Sequence, residues 1–334
     1  MKRVLRLLFV CLCFAFPVVT WITSPDSAQA AATVPGRASP PVMTVTALDY
    51  GSDRVEGGDA VLVSSDGEYL LMDTANNDDT GKVIRYLKAR KIRKLSLYLS
   101  HWHEDHFFYL WQLMDDPYFH IKRLYLPKTT WVRNCAGARY NRRSWYENAV
   151  RCWSGIPAAG LYGAREVIKK AKTEKIPVTY LKKGSSFRIG KARARVIWCG
   201  CRCTLSKGFF EYMNDRSLVT KITAGGLSYL TAGDITKEVF DLMKQKHVDP
   251  GADLYKLSHH GASDTPATIK MIKPAFAFYC DSTEKRGKWN LSTGKRRKIS
   301  KLTNLYSVRK NGNITFRFYG RDAADPIRVS TQRQ

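Results

Sequence analysis

Apolar and polar positions alternate along this chain in short runs separated by glycine-, asparagine- and aspartate-rich turns. Met43 to Asp49 alternates with period two and predicts a strand. Ala60 to Ser64 and Tyr69 to Asp73 predict two more, joined by Asp66-Gly67, a dipeptide suited to a tight hairpin turn. Thr80 to Arg90 places Val83, Ile84 and Leu87 at helical spacing. The strand Leu95 to Ser100 follows, then a helix over Phe107 to Met114 with Leu110, Trp111 and Met114 on one face, then a strand at Arg123 to Pro127. Leu161 to Lys172 is helical in pattern and Pro177 to Leu181 strand-like. Ser186 to Ile189 pairs with Ala192 to Trp198, and Leu218 to Ala224 with Leu227 to Thr231 across Gly225-Gly226. A helix at Thr236 to Gln245, a strand at Leu254 to Leu257, a helix at Ala267 to Ile272 and a strand at Ala275 to Cys280 come next. Ile314 to Tyr319 is the last strand, after the Asn311-Gly312-Asn313 turn. Strands thus come in two batches, each followed by helices, which predicts an α/β fold: a four-layer αββα sandwich.

Composition adds class and compartment. The 334 residues, 44% of them hydrophobic, suffice for one large domain or two small ones. Lys and Arg outnumber Asp and Glu 55 to 29, a formal charge of +26 that favours polyanionic partners such as nucleic acid, anionic wall polymer or acidic membrane surfaces. Residues 1–30 read as a secretory signal peptide: a basic start with Lys2, Arg3 and Arg6, an apolar run from Leu7 to Ile22, and the small-x-small site Ala28-Gln29-Ala30. An uncleaved membrane anchor is the alternative, and no second transmembrane stretch appears. Residues 31–42 read as a linker. The stretch 129–160 carries Trp131, Trp145, Trp153, two cysteines and many arginines without a period, and reads as an insertion over the active face. Beyond the leader, six cysteines remain (Cys135, Cys152, Cys199, Cys201, Cys203, Cys280), and an even count in an exported chain predicts disulfides.

The chemistry concentrates at three strand ends. Ser100-His101-Trp102-His103-Glu104-Asp105-His106 gathers three of the seven histidines of the chain with a carboxylate behind a strand. Imidazole and carboxylate are the common ligands of zinc and similar divalent ions. Leu230-Thr231-Ala232-Gly233-Asp234 ends another strand on a carboxylate, and Leu257-Ser258-His259-His260-Gly261 ends a third on two imidazoles. The expected metal ligands are His101, His103, Asp105, His106, Asp234 and one of the terminal pair, His259 preferred over His260. Asp105, Asp234 and His260 are the expected catalytic groups, His260 acting beside the metal. The cofactors would be one or two divalent ions, Zn or Mn. Their chemistry is a water acidified towards a pKa of about 7, ready to attack phosphorus or a carbonyl.

These motifs resemble the metallo-β-lactamase superfamily. His101-x-His103-x-Asp105-His106 matches its ligand motif, Asp73 its structural aspartate, Asp234 its bridging aspartate, and His259-His260-Gly261 its final histidine motif. Within it the chain is similar to the extracellular hydrolase domain of ComEC-like proteins, on Gly58-Asp59-Ala60, Asn214-Asp215-Arg216-Ser217-Leu218-Val219, Leu230 to Ile235 and Asn311-Gly312-Asn313-Ile314. The resemblance implies a sandwich of the metallo-β-lactamase type over 43–320, a tail at 321–334, and degradation of a DNA strand. The histidine that many members carry between the first cluster and the bridging aspartate is missing, and the Asn214 to Ser217 segment stands in that region.

Charge selects the substrate class. Lys285, Arg286, Lys288 and Trp289, then Arg296 and Arg297, form a basic run with an aromatic inside it, suited to phosphate backbones and base stacking. With Asn214 and Ser217 these are the expected substrate-binding residues. The expected function is an exported, metal-dependent hydrolase of phosphodiesters, DNA foremost, with membrane or cell-wall association open and no protein partner inferable. Hydrolysis of a carbonyl substrate (lactone, thioester or β-lactam) and non-catalytic binding of DNA or wall polymer are the alternatives.

Overall fold

The computed structural model describes residues 39–50, 58–75, 81–107, 109–127, 167–200, 213–281 and 291–334. The leader, the insertion at 129–160 and the basic run at 285–289 lie outside the described residues. Fifteen strands form two sheets among the described residues. In chain order they are β1 (Met43–Ala47), β2 (Val61–Ser65), β3 (Glu68–Met72), β4 (Lys94–Tyr98), β5 (His120–Pro127), β6 (Val178–Leu181), β7 (Ser186–Ile189), β8 (Ala192–Trp198), β9 (Val219–Ala224), β10 (Leu227–Thr231), β11 (Leu254–Lys256), β12 (Phe276–Tyr279), β13 (Asn304–Ser307), β14 (Ile314–Phe318) and β15 (Ile327–Thr331).

The first sheet runs β15-β14-β1-β2-β3-β4-β5-β6, and the second β13-β12-β11-β10-β9-β8-β7. Hairpins make the antiparallel part of each. Asp66 and Gly67 take φ of 51° and 76°, and Gly225 and Gly226 take 55° and 75°, the left-handed pairs that match the twist of a two-residue hairpin. Parallel pairing then takes over, through β3-β4-β5-β6 in one sheet and β10-β11-β12-β13 in the other.

The two sheets pack face to face. Tyr229 of β10 stacks with Phe278 of β12, which stacks on Phe316 of β14 at 5.6 Å between centroids. The buried hydroxyl of Tyr98 on β4 meets Thr220 on β9 at 2.8 Å, a polar tie across the core. Helices cover the outer faces. Lys82–Ala89 buries Val83 and Leu87, and Leu110–Asp115 buries Leu110, Leu113 and Met114. On the second sheet Lys237–Gln245 and Pro266–Ile272 bury Val239, Phe240, Met243, Ile269 and Ile272 in a separate apolar layer with Leu230, Tyr255 and Ala277. The layers run helix, sheet, sheet, helix, as the pattern predicts.

Three elements escape the pattern. The basic run Lys295 to Lys298 lies in a helix, Thr293–Ile299, whose N-cap Ser292 accepts from the amide of Lys295. It buries only Ile299, so it shows no apolar stripe. β13 has one buried residue, Ser307. Within 321–334, read as a tail, β15 pairs antiparallel with β14 from Ile327↔Phe318 to Thr331↔Ile314. Among the described residues there is no disulfide: Cys199 and Cys280 are free thiols, and the other six cysteines of the chain lie outside the description. No described helix is long and apolar enough to cross a membrane.

Candidate metal centre

The polar cluster forms where parallel strands of both sheets end. Ligands in open α/β sheets gather at the carboxyl ends of such strands, because the chain there leaves the ladder and its side chains turn inward together. β3 delivers Asp73, β4 delivers Ser100 to His106, β10 delivers Asp234, and β11 delivers His259-His260. Asp59, just before β2, enters from the side. Trp102, 2% exposed, anchors the histidine loop with its ring edge-on to Phe107 at 5.8 Å.

Two groups of donor atoms share one carboxylate. Asp105, His106, Asp234 and His260 form one, His101, His103 and Asp234 the other, with one ligand atom per residue all within 4.8 Å of each other in each group. His106 Nε2 lies 3.2 Å from Asp234 Oδ2 and 3.6 Å from Asp105 Oδ2, and His260 Nε2 lies 3.0 Å from Asp105 Oδ2. His101 Nε2 lies 3.0 Å from His103 Nδ1 and 4.0 Å from Asp234 Oδ2.

Carboxylates behind the cluster set the imidazole orientations. Asp73 takes the amide of Ser100 on Oδ1 at 2.7 Å and the Ser100 hydroxyl on Oδ2 at 2.7 Å. His106 Nδ1 also lies 2.8 Å from Oδ2, and since a carboxylate only accepts, Nδ1 carries the proton and Nε2 faces the cluster. Asp234 is held by its own amide, which donates to Ser217 Oγ at 3.0 Å. Asp264, fully buried, takes the amide of Ser258 at 2.6 Å and the hydroxyl of Tyr255 at 3.0 Å, which fixes the start of the His259-His260 turn. That turn is strained: His259 (φ 51°), His260 (φ 54°) and Gly261 (φ 88°) are left-handed in succession.

Beneath Asp234 sits a buried cation. Lys256, 1% exposed, contacts Asp59 directly, and its Nζ lies 3.3 Å from the carbonyl of Gly233 and 3.8 Å from Asp234 Oδ1. Burial pulls its pKa from 10.5 to about 8, which leaves it charged at neutral pH. Asp59 also approaches His260 Nδ1 (3.4 Å) and His106 Nδ1 (3.6 Å).

Electrostatics divide the histidines. Burial, then His106 and His103, lower His101 well below 6.5, and burial lowers His103 to about 4, so both rings stay neutral. Burial also opposes charge on His106, but Asp234, Asp105 and Asp73 outweigh it and raise its pKa well above 6.5. Burial would raise Asp234, yet His106 and His260 hold it well below 3.8.

The residues fit divalent ions. His106 Nε2, which faces Asp234 and Asp105, is buried without a hydrogen bond, and the converging donors are imidazole nitrogens and carboxylate oxygens, the set that suits zinc, manganese or iron.

The structure brings six expected residues into these two groups: His101, His103, Asp105, His106, Asp234 and His260. His260 joins the four-residue group where His259 was the preferred ligand, and His259 Nδ1 lies 3.3 Å from Ser263 Oγ. Asn214 and Ser217, expected to bind substrate, are buried at 2% and 0% exposure. Ser217 supports the site from within, its Oγ accepting from the amide of Asp234 at 3.0 Å, and its own amide donates to the Asn214 carbonyl at 2.9 Å. Arg296 and Arg297 are exposed on a helix whose Lys295 donates to the carbonyl of Ala262, beside the histidine turn, at 2.6 Å. Lys285, Arg286, Lys288 and Trp289 lie outside the described residues. Asp59 and Lys256 have no place among the expected site residues. Their signal is a lysine inside the apolar strand Leu254-Tyr255-Lys256-Leu257 and an aspartate opening an apolar strand.

This architecture, with its ligand-bearing strand ends, is the metallo-β-lactamase fold. A 163-residue stretch is 25% identical to ComE operon protein 3 of Bacillus subtilis (strain 168), in line with the ComEC-like resemblance. The match covers 47% of this chain, and the chain spans only 20% of that protein's length. Among solved structures, CmlA, a diiron β-hydroxylase from Streptomyces venezuelae, superposes with a TM-score of 0.51 at 13% identity over 84% of this chain and 55% of CmlA. The metallo-β-lactamase fold protein YhfI from Bacillus subtilis gives 0.46 at 11% identity over 79% and 95%. No family model matches the chain.

Proposed function

We propose that this protein is an exported metal-dependent hydrolase of phosphodiester bonds, with DNA as its substrate. The observation that carries this reading is the pair of donor groups sharing Asp234, set in a chain of net charge +26. Asp105, His106, Asp234 and His260 would hold one divalent ion, and His101, His103 and Asp234 a second. Such ions acidify water and offset charge on phosphoryl oxygens. The residues of the chain do the rest. Asp73 keeps the proton of His106 on Nδ1, which leaves Nε2 available as a ligand. Asp105, the most accessible member at 19% side-chain exposure, is placed to orient a nucleophile. The exposed Arg296 and Arg297 would hold a phosphate backbone beside the histidine turn. The basic, apolar amino terminus supports export.

The test is cleavage of single-stranded DNA and of bis(4-nitrophenyl) phosphate by full-length protein loaded with Mn²⁺ or Zn²⁺. Turnover of neither substrate sinks the proposal. His260→Ala is expected to lose bound metal and His259→Ala to keep it, as read by elemental analysis.

A further inference from the structure

The outer face of β7, β8 and β9 carries a basic array that the metal centre does not use. Pairing places Arg188 opposite Arg193 across β7-β8, and Arg195 opposite Lys221 across β8-β9. Opposite residues in a ladder share a face with Cβ atoms about 5 Å apart, and like charges there destabilise the pair. Arg193, Arg195 and Lys221, with Lys183, line a groove of about 520 Å³ floored by Ile197 and Val248. Its one acid is Asp249, whose carboxylate is 84% exposed and lies 3.6 Å from Lys221 Nζ. Arg188, Arg193 and Arg195 are exposed and have no acidic partner among the described residues. Lys183 is steadied over the Trp198 ring, 4.8 Å from its centroid.

A fold that sets like charges opposite each other twice, with one acid to answer them, is arranged for an anion from outside. We infer that this face is a second binding site, away from the metal centre, for the phosphate backbone of a single nucleic-acid strand. This inference rests on the phosphodiesterase reading above and extends it to how the strand is held. Two features favour a phosphodiester chain. The cations stand about 5 Å apart across the Arg188–Arg193 and Arg195–Lys221 pairs and about 7 Å apart along β8 from Arg193 to Arg195, spacings that successive phosphates of one strand can follow. Three of the five cations are guanidiniums, whose fork suits phosphate oxygens. The array also lies close to the chemistry. Lys221 stands on β9, four residues along the chain from Ser217, the residue that holds Asp234.

The test is binding of a fluorescent 30-nucleotide DNA strand by the full chain in EDTA, followed by anisotropy over a range of salt. Arg193→Thr with Arg195→Thr removes two cations while keeping strand-compatible side chains. The double variant is expected to melt as wild type, to bind at least tenfold more weakly at low salt, and to lose about 1.4 from the slope of log K against log salt. Its turnover of bis(4-nitrophenyl) phosphate, too small to span the array, is expected to be unchanged. Unchanged affinity and slope in the double variant overturn the inference, as does equal displacement of the strand by polyglutamate of matched charge. If wild type binds the strand through these arginines yet turns over no diester, the array stands and the phosphodiesterase reading falls.

Discussion

Replacing Asp73 by asparagine should disable the metal centre without touching a ligand. Asp73 takes three hydrogen bonds: from the Ser100 amide (2.7 Å), the Ser100 hydroxyl (2.7 Å) and His106 Nδ1 (2.8 Å). In Asp73→Asn the amide oxygen can keep the Ser100 amide, and the Ser100 hydroxyl can turn to accept from the new NH₂. His106 has no such escape. An NH₂ group facing Nδ1 forces that nitrogen to accept, which sends the ring proton to Nε2, the atom aimed at Asp234 Oδ2. A protonated Nε2 is not a ligand. Loss of such an orienting partner costs about 10- to 100-fold in metal affinity, or about 1.4–2.7 kcal/mol. The assay is competition for Zn²⁺ or Mn²⁺ against a chromophoric chelator at fixed pH. Ser100→Ala provides the comparison: it leaves the His106 tautomer but deletes the hydroxyl that Asp73 accepts and that also meets His101 Nδ1 at 3.0 Å, so its loss of affinity should be smaller than that of Asp73→Asn. Wild-type affinity in folded Asp73→Asn protein would refute the tautomer argument.

Three further outcomes are expected, each read by urea unfolding of the metal-free protein. Gly190→Ala should lose about 2–4 kcal/mol, because Gly190 is left-handed (φ +53°) and an added Cβ would fall 2.0 Å from the carbonyl oxygen of Ser65, backbone that cannot swing away. Lys256→Met should lose about 3–5 kcal/mol by stranding Asp59 without its buried counterion, and adding Asp59→Asn should recover part of it. Burial raises Asp264 from 3.8 to about 7, against the hydrogen bonds from Tyr255 and Ser258, so between those values the folded chain holds a proton that the unfolded chain has released. Stability from this group is therefore present at low pH and falls as pH rises from about 4 to about 7, by up to about 4 kcal/mol, and Asp264→Asn should flatten that slope.

The strands and their turns were legible because their causes are local. An Asp-Gly or Gly-Gly pair between alternating runs permits few other conformations, and both adopt the expected left-handed pair. The histidine loop was legible because three of seven histidines stand within six positions behind an apolar strand. What escaped depends on distant partners. Nothing near Asp59 announces Lys256, since they meet only when the carboxyl end of β11 closes over the entry to β2. The choice between His259 and His260 rests on the consecutive left-handed residues, and Asp264 holds that turn from behind. Asn214 and Ser217 read as substrate ligands because their segment stands where many relatives carry a histidine, but both are buried, and Ser217 Oγ accepts from the amide of Asp234. The helix at Thr293–Ile299 hid beneath its own charge, because it has one buried residue to show.

β7 closes one edge of the second sheet, where unpaired amide and carbonyl groups would template another strand. Any second copy docking there in register would bring Arg188 and its basic neighbours alongside the same set. The charges that suit this face to a polyanion thus also oppose copies of the protein zipping together along it, at an edge strand of only four residues.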